Sequence, residues 1–184
     1  MLFGKESVVV YIDGGNTYRK LKGFCLPQKD KRFNYSAFVN HLVGERNLAS
    51  KRYYVGIVKN HDNSKKGGDM VKSQQKFLSG LENERFIVKR GRIMYDKDRI
   101  REKGVDVKLS VDLVIGAVDN LYDTAIVVSS DTDLIPAIQY VRNGKNKQVE
   151  YIGFASKPSF GLIKSSKSRL FAESDLIQFQ IDKE

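Results

Sequence analysis

The stretch IVVSSDTDLIP, residues 126–136, sets a short apolar run against two aspartates, Asp131 and Asp133, followed by a proline. A buried strand handing over to a helix reads this way, with Pro136 tolerated in a first helical turn. One aspartate as a helix N-cap is ordinary chemistry. A single cap does not account for two like charges so close together. The same pattern stands at VVVYIDGGN, residues 8–16, where a valine-rich run ends on Asp13.

Working outward, short β-branched runs alternate with segments of helical spacing. Strands are expected at 7–13, 51–59, 86–90, 124–130 and 148–154, with a last short one near 177–181. Helices are expected at 35–45, 68–83, 107–121 and 135–143. Near-continuous apolar strands alternating with helices imply a mostly parallel sheet covered on both faces. The stretches 59–69, 89–104 and 156–169 are polar or basic and read as connections within one domain spanning residues 1–184.

In open parallel sheets, ligands bind beyond the carboxyl ends of the strands near a topological switch point. Asp13 and Asp131 each stand at such an end. If their strands are neighbours, both carboxylates emerge on one rim. Asp112, in VDVKLSVDLVIGAVDN, follows Leu109 by three residues and precedes Leu113 by one, so it borders the buried face of its helix. That helix feeds the strand ending at Asp131. Asp106 falls on a different face and approaches only from the helix start.

Carboxylates gathered on one rim repel: two charges about 4 Å apart cost about 1 kcal/mol in water and about 4 kcal/mol at an effective dielectric of 20. Either some are protonated or a cation sits among them. A hard, oxygen-loving ion, Mg²⁺ or Mn²⁺, is the simplest answer. Each residue also has a plainer reading. Asp131 or Asp133 is a cap; Asp13 and its glycines are a turn with positive φ; Asp112 pairs with Lys108 at i−4; Asp106 caps its helix.

The 184 residues carry a net charge of +10, which favours polyanionic partners, nucleic acid above all. The single cysteine, Cys25, excludes an internal disulfide framework and a cysteine-cluster zinc site. No secretory segment and no membrane-length apolar run is in view, so a cytoplasmic location without membrane attachment is expected. DGGNTYRKLKG lacks the spacing and the lysine of a phosphate-binding loop. His41 and His61 lack acids at metal-ligand spacing, and Ser129 and Ser130 lack a nucleophile-elbow context.

VVVYIDGGN, then KGVDVKLSVD, then YDTAIVVSSDTDLIPAI and finally SRLFAESDLIQF together resemble the NYN domain family of LabA-like type, within the PIN-like superfamily. The resemblance covers roughly residues 7–181. It implies a three-layer α/β/α PIN-like fold with a central mostly parallel sheet, and metal-dependent ribonuclease chemistry. Carried over, Asp13, Asp112 and Asp131 are metal ligands, with Asp133 and Asp106 as further acidic positions. Asn16 orients Asp13 or contacts substrate. Ser130 stands where the family more commonly has glycine.

The expected function is hydrolysis of mainly single-stranded RNA, with Asp13, Asn16, Asp112 and Asp131 at the reacting centre. Lys20, Lys22, Lys103 and Lys108 would meet flanking phosphates, and Tyr18 or Phe24 would stack on bases. A homodimer would give so small a domain more surface to grip a polymer. Two other readings stand beside this one: a catalytically weak RNA- or protein-binding module on the same fold, and a phosphatase acting on small molecules.

Overall fold

The computed structural model describes residues 4–24, 31–60, 63–96 and 99–182. The first half of the chain contains β1 (Ser7–Asp13), α1 (Gly14–Phe24), β2 (Lys31–Phe33), α2 (Tyr35–Val43), β3 (Asn47–Ile57), α3 (Lys65–Asn83), β4 (Ile87–Asp96) and β5 (Arg99–Lys103). The second half contains α4 (Val105–Val118), β6 (Thr124–Val128), α5 (Ile135–Gln139), β7 (Gln148–Phe154), α6 (Phe160–Ser165), β8 (Lys167–Phe171), α7 (Glu173–Ile177) and β9 (Gln180–Asp182).

The main sheet has the order β5-β4-β3-β1-β6-β7-β8. Six of its strands run parallel, and β5 alone turns back antiparallel along β4. β2 and β9 form a separate antiparallel ribbon. From β1 the chain builds outward to β3 and β4, then returns to place β6 on the other side. The β1–β6 seam is therefore the switch point of the sheet.

Strand alternation assigns the two faces. Val8, Val10 and Ile12 pack into a core with α2, α3 and α7, whereas Val9 and Tyr11 pack against α4 and α5. This is the three-layer arrangement that the family resemblance implied. β1, β6 and β7 are buried almost throughout, which is why they read as continuous apolar runs. Near the amino ends of the strands, Glu150 on β7 is held by Arg46 at 2.8 Å and Arg169 at 3.2 Å, tying α2 to the sheet far from the β1–β6 carboxyl rim.

Several expectations shift. DGGN opens α1 rather than forming a turn, and neither Gly14 nor Gly15 has a positive φ. The basic stretch 89–104 forms the β4–β5 hairpin, and 156–169 contains α6 and leads into β8. Charged side chains suit an edge strand, where one row of backbone groups faces solvent. The last expected strand lies later, at β9, after α7. Cys25 and His61 lie outside the described residues, as does the Phe24 side chain. Among the described residues no helix is long and apolar enough to cross a membrane.

Candidate functional site

β1 and β6 pair in parallel with Ile12 opposite Val128, so Asp13 and Ser129 leave the sheet side by side. Asp13 is 6% exposed, and both its oxygens are engaged. Oδ1 accepts the backbone N–H of Asn16 at 3.0 Å, an N-cap bond for α1. Oδ2 accepts the Asn16 side-chain amide at 2.5 Å and the Ser129 hydroxyl at 2.9 Å. Ser130 in turn donates to Asn16 Oδ1 at 3.1 Å, which turns the amide so that its NH₂ faces Asp13. The serine that departs from the family pattern is thus part of the network that orients Asn16.

Ser129 Oγ also accepts the backbone N–H of Asp131 at 3.1 Å, so one hydroxyl links the two strand-end aspartates. Asp131 Oδ1 accepts the N–H of Asp133 at 3.0 Å and caps the short 3-10 turn Thr132–Leu134. Of the two candidate caps the sequence offers, Asp131 is the cap and Asp133 is not, because the turn begins one residue after Asp131. Asp133 is exposed.

Asp112 projects from α4 onto the same face of the sheet, above a row that crosses three strands. In that row Asp13 pairs with Tyr54 on β3, and Tyr54 pairs with Lys89 on β4. Tyr54 donates its hydroxyl to Asp112 Oδ2 at 2.8 Å. Lys89 lies 3.3 Å and Arg52 3.8 Å from the same oxygen. Burial, then the bond to Asp112, raises the Tyr54 pKa far above its ordinary value, so it remains a donor. Lys108 does not pair with Asp112; its ammonium donates to the Arg90 carbonyl at 2.9 Å.

Asp106 sits in the first turn of α4, whose N-cap is Gly104 in a left-handed conformation, so Asp106 is not the cap. It favours the positive end of the helix there. Among the described residues it shares no hydrogen-bond partner with Asp13, Asp112 or Asp131. Lys20 donates to the Lys157 carbonyl at 3.3 Å, and Lys22, Lys103 and Lys108 are exposed. Tyr18 is also exposed, whereas His41 packs edge-to-face against Phe171 and Phe179.

The repulsion expected among the acids is relieved by a route the sequence did not suggest. Amide and hydroxyl donors satisfy Asp13, while Lys89 and Arg52 neutralise Asp112. Among the described residues, no three His, Cys, Asp or Glu side chains converge closely enough to hold a metal ion. Asp13 and Asp131, joined through Ser129, offer the hard oxygen donors that Mg²⁺ and Mn²⁺ take. The donor chemistry at this rim fits such an ion, with Asp112 held to one side by Lys89.

Lys89, Arg52 and Tyr54 were not singled out from the sequence. Alternation carried a signal: Val88 packs into the α2–α3 core, so Lys89 must point to the α4 side, where Asp112 is.

Gly14 is fixed by space. A Cβ there would lie 2.5 Å from Tyr53 Cε1 and 2.7 Å from the Tyr54 carbonyl oxygen. Gly14→Ala should cost about 2–3 kcal/mol by overpacking, lowering Tm by roughly 5–10 °C in a thermal melt. An unchanged Tm would show that α1 shifts freely against β3.

Three comparisons bear on this arrangement. The structure is similar to that of a protein of unknown function from Vibrio parahaemolyticus RIMD 2210633, with TM-score 0.70 and 21% identity, covering 94% of this chain and 95% of that one. At that identity the likeness shows the fold. No curated protein matches the chain. The sequence model of the NYN domain matches residues 7–172. With nearly its whole length matched and the PIN-like sheet in place, the chain belongs to the NYN domain family, a nuclease-like family of the PIN-like superfamily.

Proposed function

We propose that the protein is a metal-dependent ribonuclease that hydrolyses phosphodiester bonds of mainly single-stranded RNA. One observation carries this reading: Ser129 donates to the Asp13 carboxylate and accepts the backbone N–H of Asp131, so the two strand-end aspartates are tied at the switch point of a parallel sheet, where open α/β folds bind their ligands. Family membership and the net charge of +10 support a nucleic-acid substrate.

In this reading Asp13 and Asp131 would hold Mg²⁺ or Mn²⁺, with Asp112 as third ligand and Asp133 and Asp106 as outlying acids. The ion would supply the Lewis-acid charge that phosphodiester hydrolysis needs. Asn16 and Ser129 fix the direction of the Asp13 carboxylate by donating to it. Lys20, Lys22, Lys103 and Lys108 attract the phosphates on either side of the scissile bond. Water adds to phosphorus as the 3′ oxygen leaves with a proton, giving a 5′-phosphate and a 3′-hydroxyl.

Lys89 acts as a competitor for Asp112, because an ammonium 3.3 Å from the carboxylate must be displaced or shared when a cation arrives. Lys89→Met is expected to tighten Mn²⁺ binding by about tenfold, about 1.4 kcal/mol, in a calorimetric titration. Equal affinity in both proteins would remove Lys89 from the site's chemistry.

The Asp112–Lys89 pair also favours the second reading, an RNA-binding module with little turnover, because an acid already neutralised calls less for a metal. Pure protein incubated with labelled RNA, the matching DNA and a small phosphate ester, in Mn²⁺, separates the readings. The ribonuclease cuts RNA in preference to the others. A binding module shifts RNA without cutting it, insensitive to EDTA, and a phosphatase turns over only the ester.

A further inference from the structure

α4 is apolar on two opposite faces. Val105, Leu109, Leu113 and Ala117 face the core. On the other side Val107 is 60% exposed, Val111 48%, Ile115 47% and Val118 51%, with Leu121 just beyond the helix end at 46%. Val107, Val111, Val114, Val118 and Leu121 follow one another at alternating spacings of four and three, the repeat of a helix–helix seam, with Ile115 beside it. The stripe is about 20 Å long at 1.5 Å per residue, and its apolar positions are uninterrupted by charge. A helix that is apolar nearly all round is normally covered.

From this we infer that α4 is a dimer seam, and that its occupant is α4 of a second copy of this chain, packed antiparallel. Self-complementarity argues for that partner. Centring the two-fold axis near Leu113 sets Val111 against Ile115 of the second copy and Val107 against its Val118. The same register brings Lys108 of one copy to Asp119 of the other. At about 100° per residue, Lys108 and Asp119 lie on the same flank of the stripe, and antiparallel helices bring like flanks together. Both residues are exposed. Two pairs of opposite charge thus close the ends of an apolar seam, in the orientation that brings the Lys108–Asp119 flanks together. A parallel pairing would put Lys108 and Asp119 of the two copies on opposite sides of the seam, and neither charge pair would form.

Asp112 stands on that flank too. The readout of dimerisation is mass in the absence of RNA, so it is tested apart from the chemistry proposed for the Asp13–Asp131 rim, although Lys108 is shared between the two readings.

Sedimentation equilibrium at micromolar concentration and physiological ionic strength tests it. The native protein is expected to have the mass of two chains. Val111→Lys, which places a charge at an already exposed position, should give the mass of one chain with an unchanged circular-dichroism spectrum. Lys108→Glu should weaken the dimer at least about tenfold, and adding Asp119→Lys should restore it. A monomeric native protein would overturn the inference, whether or not another protein binds the stripe. Dimerisation unaffected by Val111→Lys would overturn it equally, and failure of the charge exchange to restore binding would overturn the antiparallel register.

Discussion

Asp13→Asn protein is expected to fold normally and to lose RNA cleavage by at least about a hundredfold, since even partners one step removed from a metal typically contribute about 10–100-fold. The substitution separates the two duties of Asp13. An asparagine oxygen still accepts the Asn16 N–H, so the cap on α1 survives. What goes is the negative charge and one of the two acceptor oxygens facing Asn16 and Ser129. Melting temperature should therefore move little while the cleavage rate collapses. Undiminished cleavage by highly purified Asp13→Asn protein would remove the β1–β6 rim from the reaction.

Stability is expected to fall steeply above about pH 10, by several kcal/mol between pH 10 and 12. Tyr11, Tyr35, Tyr54 and Tyr122 all have raised pKa values, each chiefly through burial, with Tyr35 at about 12 against the ordinary 10.0. Below pH 10 these hydroxyls are protonated in folded and unfolded chains alike, so they contribute no pH dependence. Above it the unfolded chain releases protons that the folded chain retains, and each such tyrosine costs about 1.4 kcal/mol per pH unit until its folded pKa is reached. Denaturant unfolding at a series of pH values measures the slope. Tyr54→Phe should reduce it by about one proton, which separates the tyrosines from the lysines titrating nearby. A flat profile to pH 12 would contradict the buried assignment.

The sheet was legible because its central strands are buried on both sides. β1 and β7 run over the residues expected from their apolar runs, and β6 ends two residues before the expected boundary, where Ser129 turns away to bond Asp13. What escaped notice was polar or glycine-rich. β5 and β8 are charged and lie at the two edges, so no apolar run announces them. α1 was hidden behind a glycine pair that looked like a turn, although Gly14 is demanded by contact with Tyr53 and Tyr54.

The strand-end acids could be located from alternation and strand order, but their partners could not. Lys89 and Tyr54 reach Asp112 only because β3 and β4 lie beside β1 in register, and register is a long-range property that no local stretch encodes. Ser129 likewise joins two segments more than a hundred residues apart.

The most direct test of the central claim is to strip the protein with EDTA, return Mn²⁺ stepwise, and follow labelled single-stranded RNA with analysis of the product ends. The account predicts no cleavage in EDTA, recovery with Mn²⁺, and products carrying a 5′-phosphate and a 3′-hydroxyl. RNA that is bound but left whole at every Mn²⁺ concentration would contradict it.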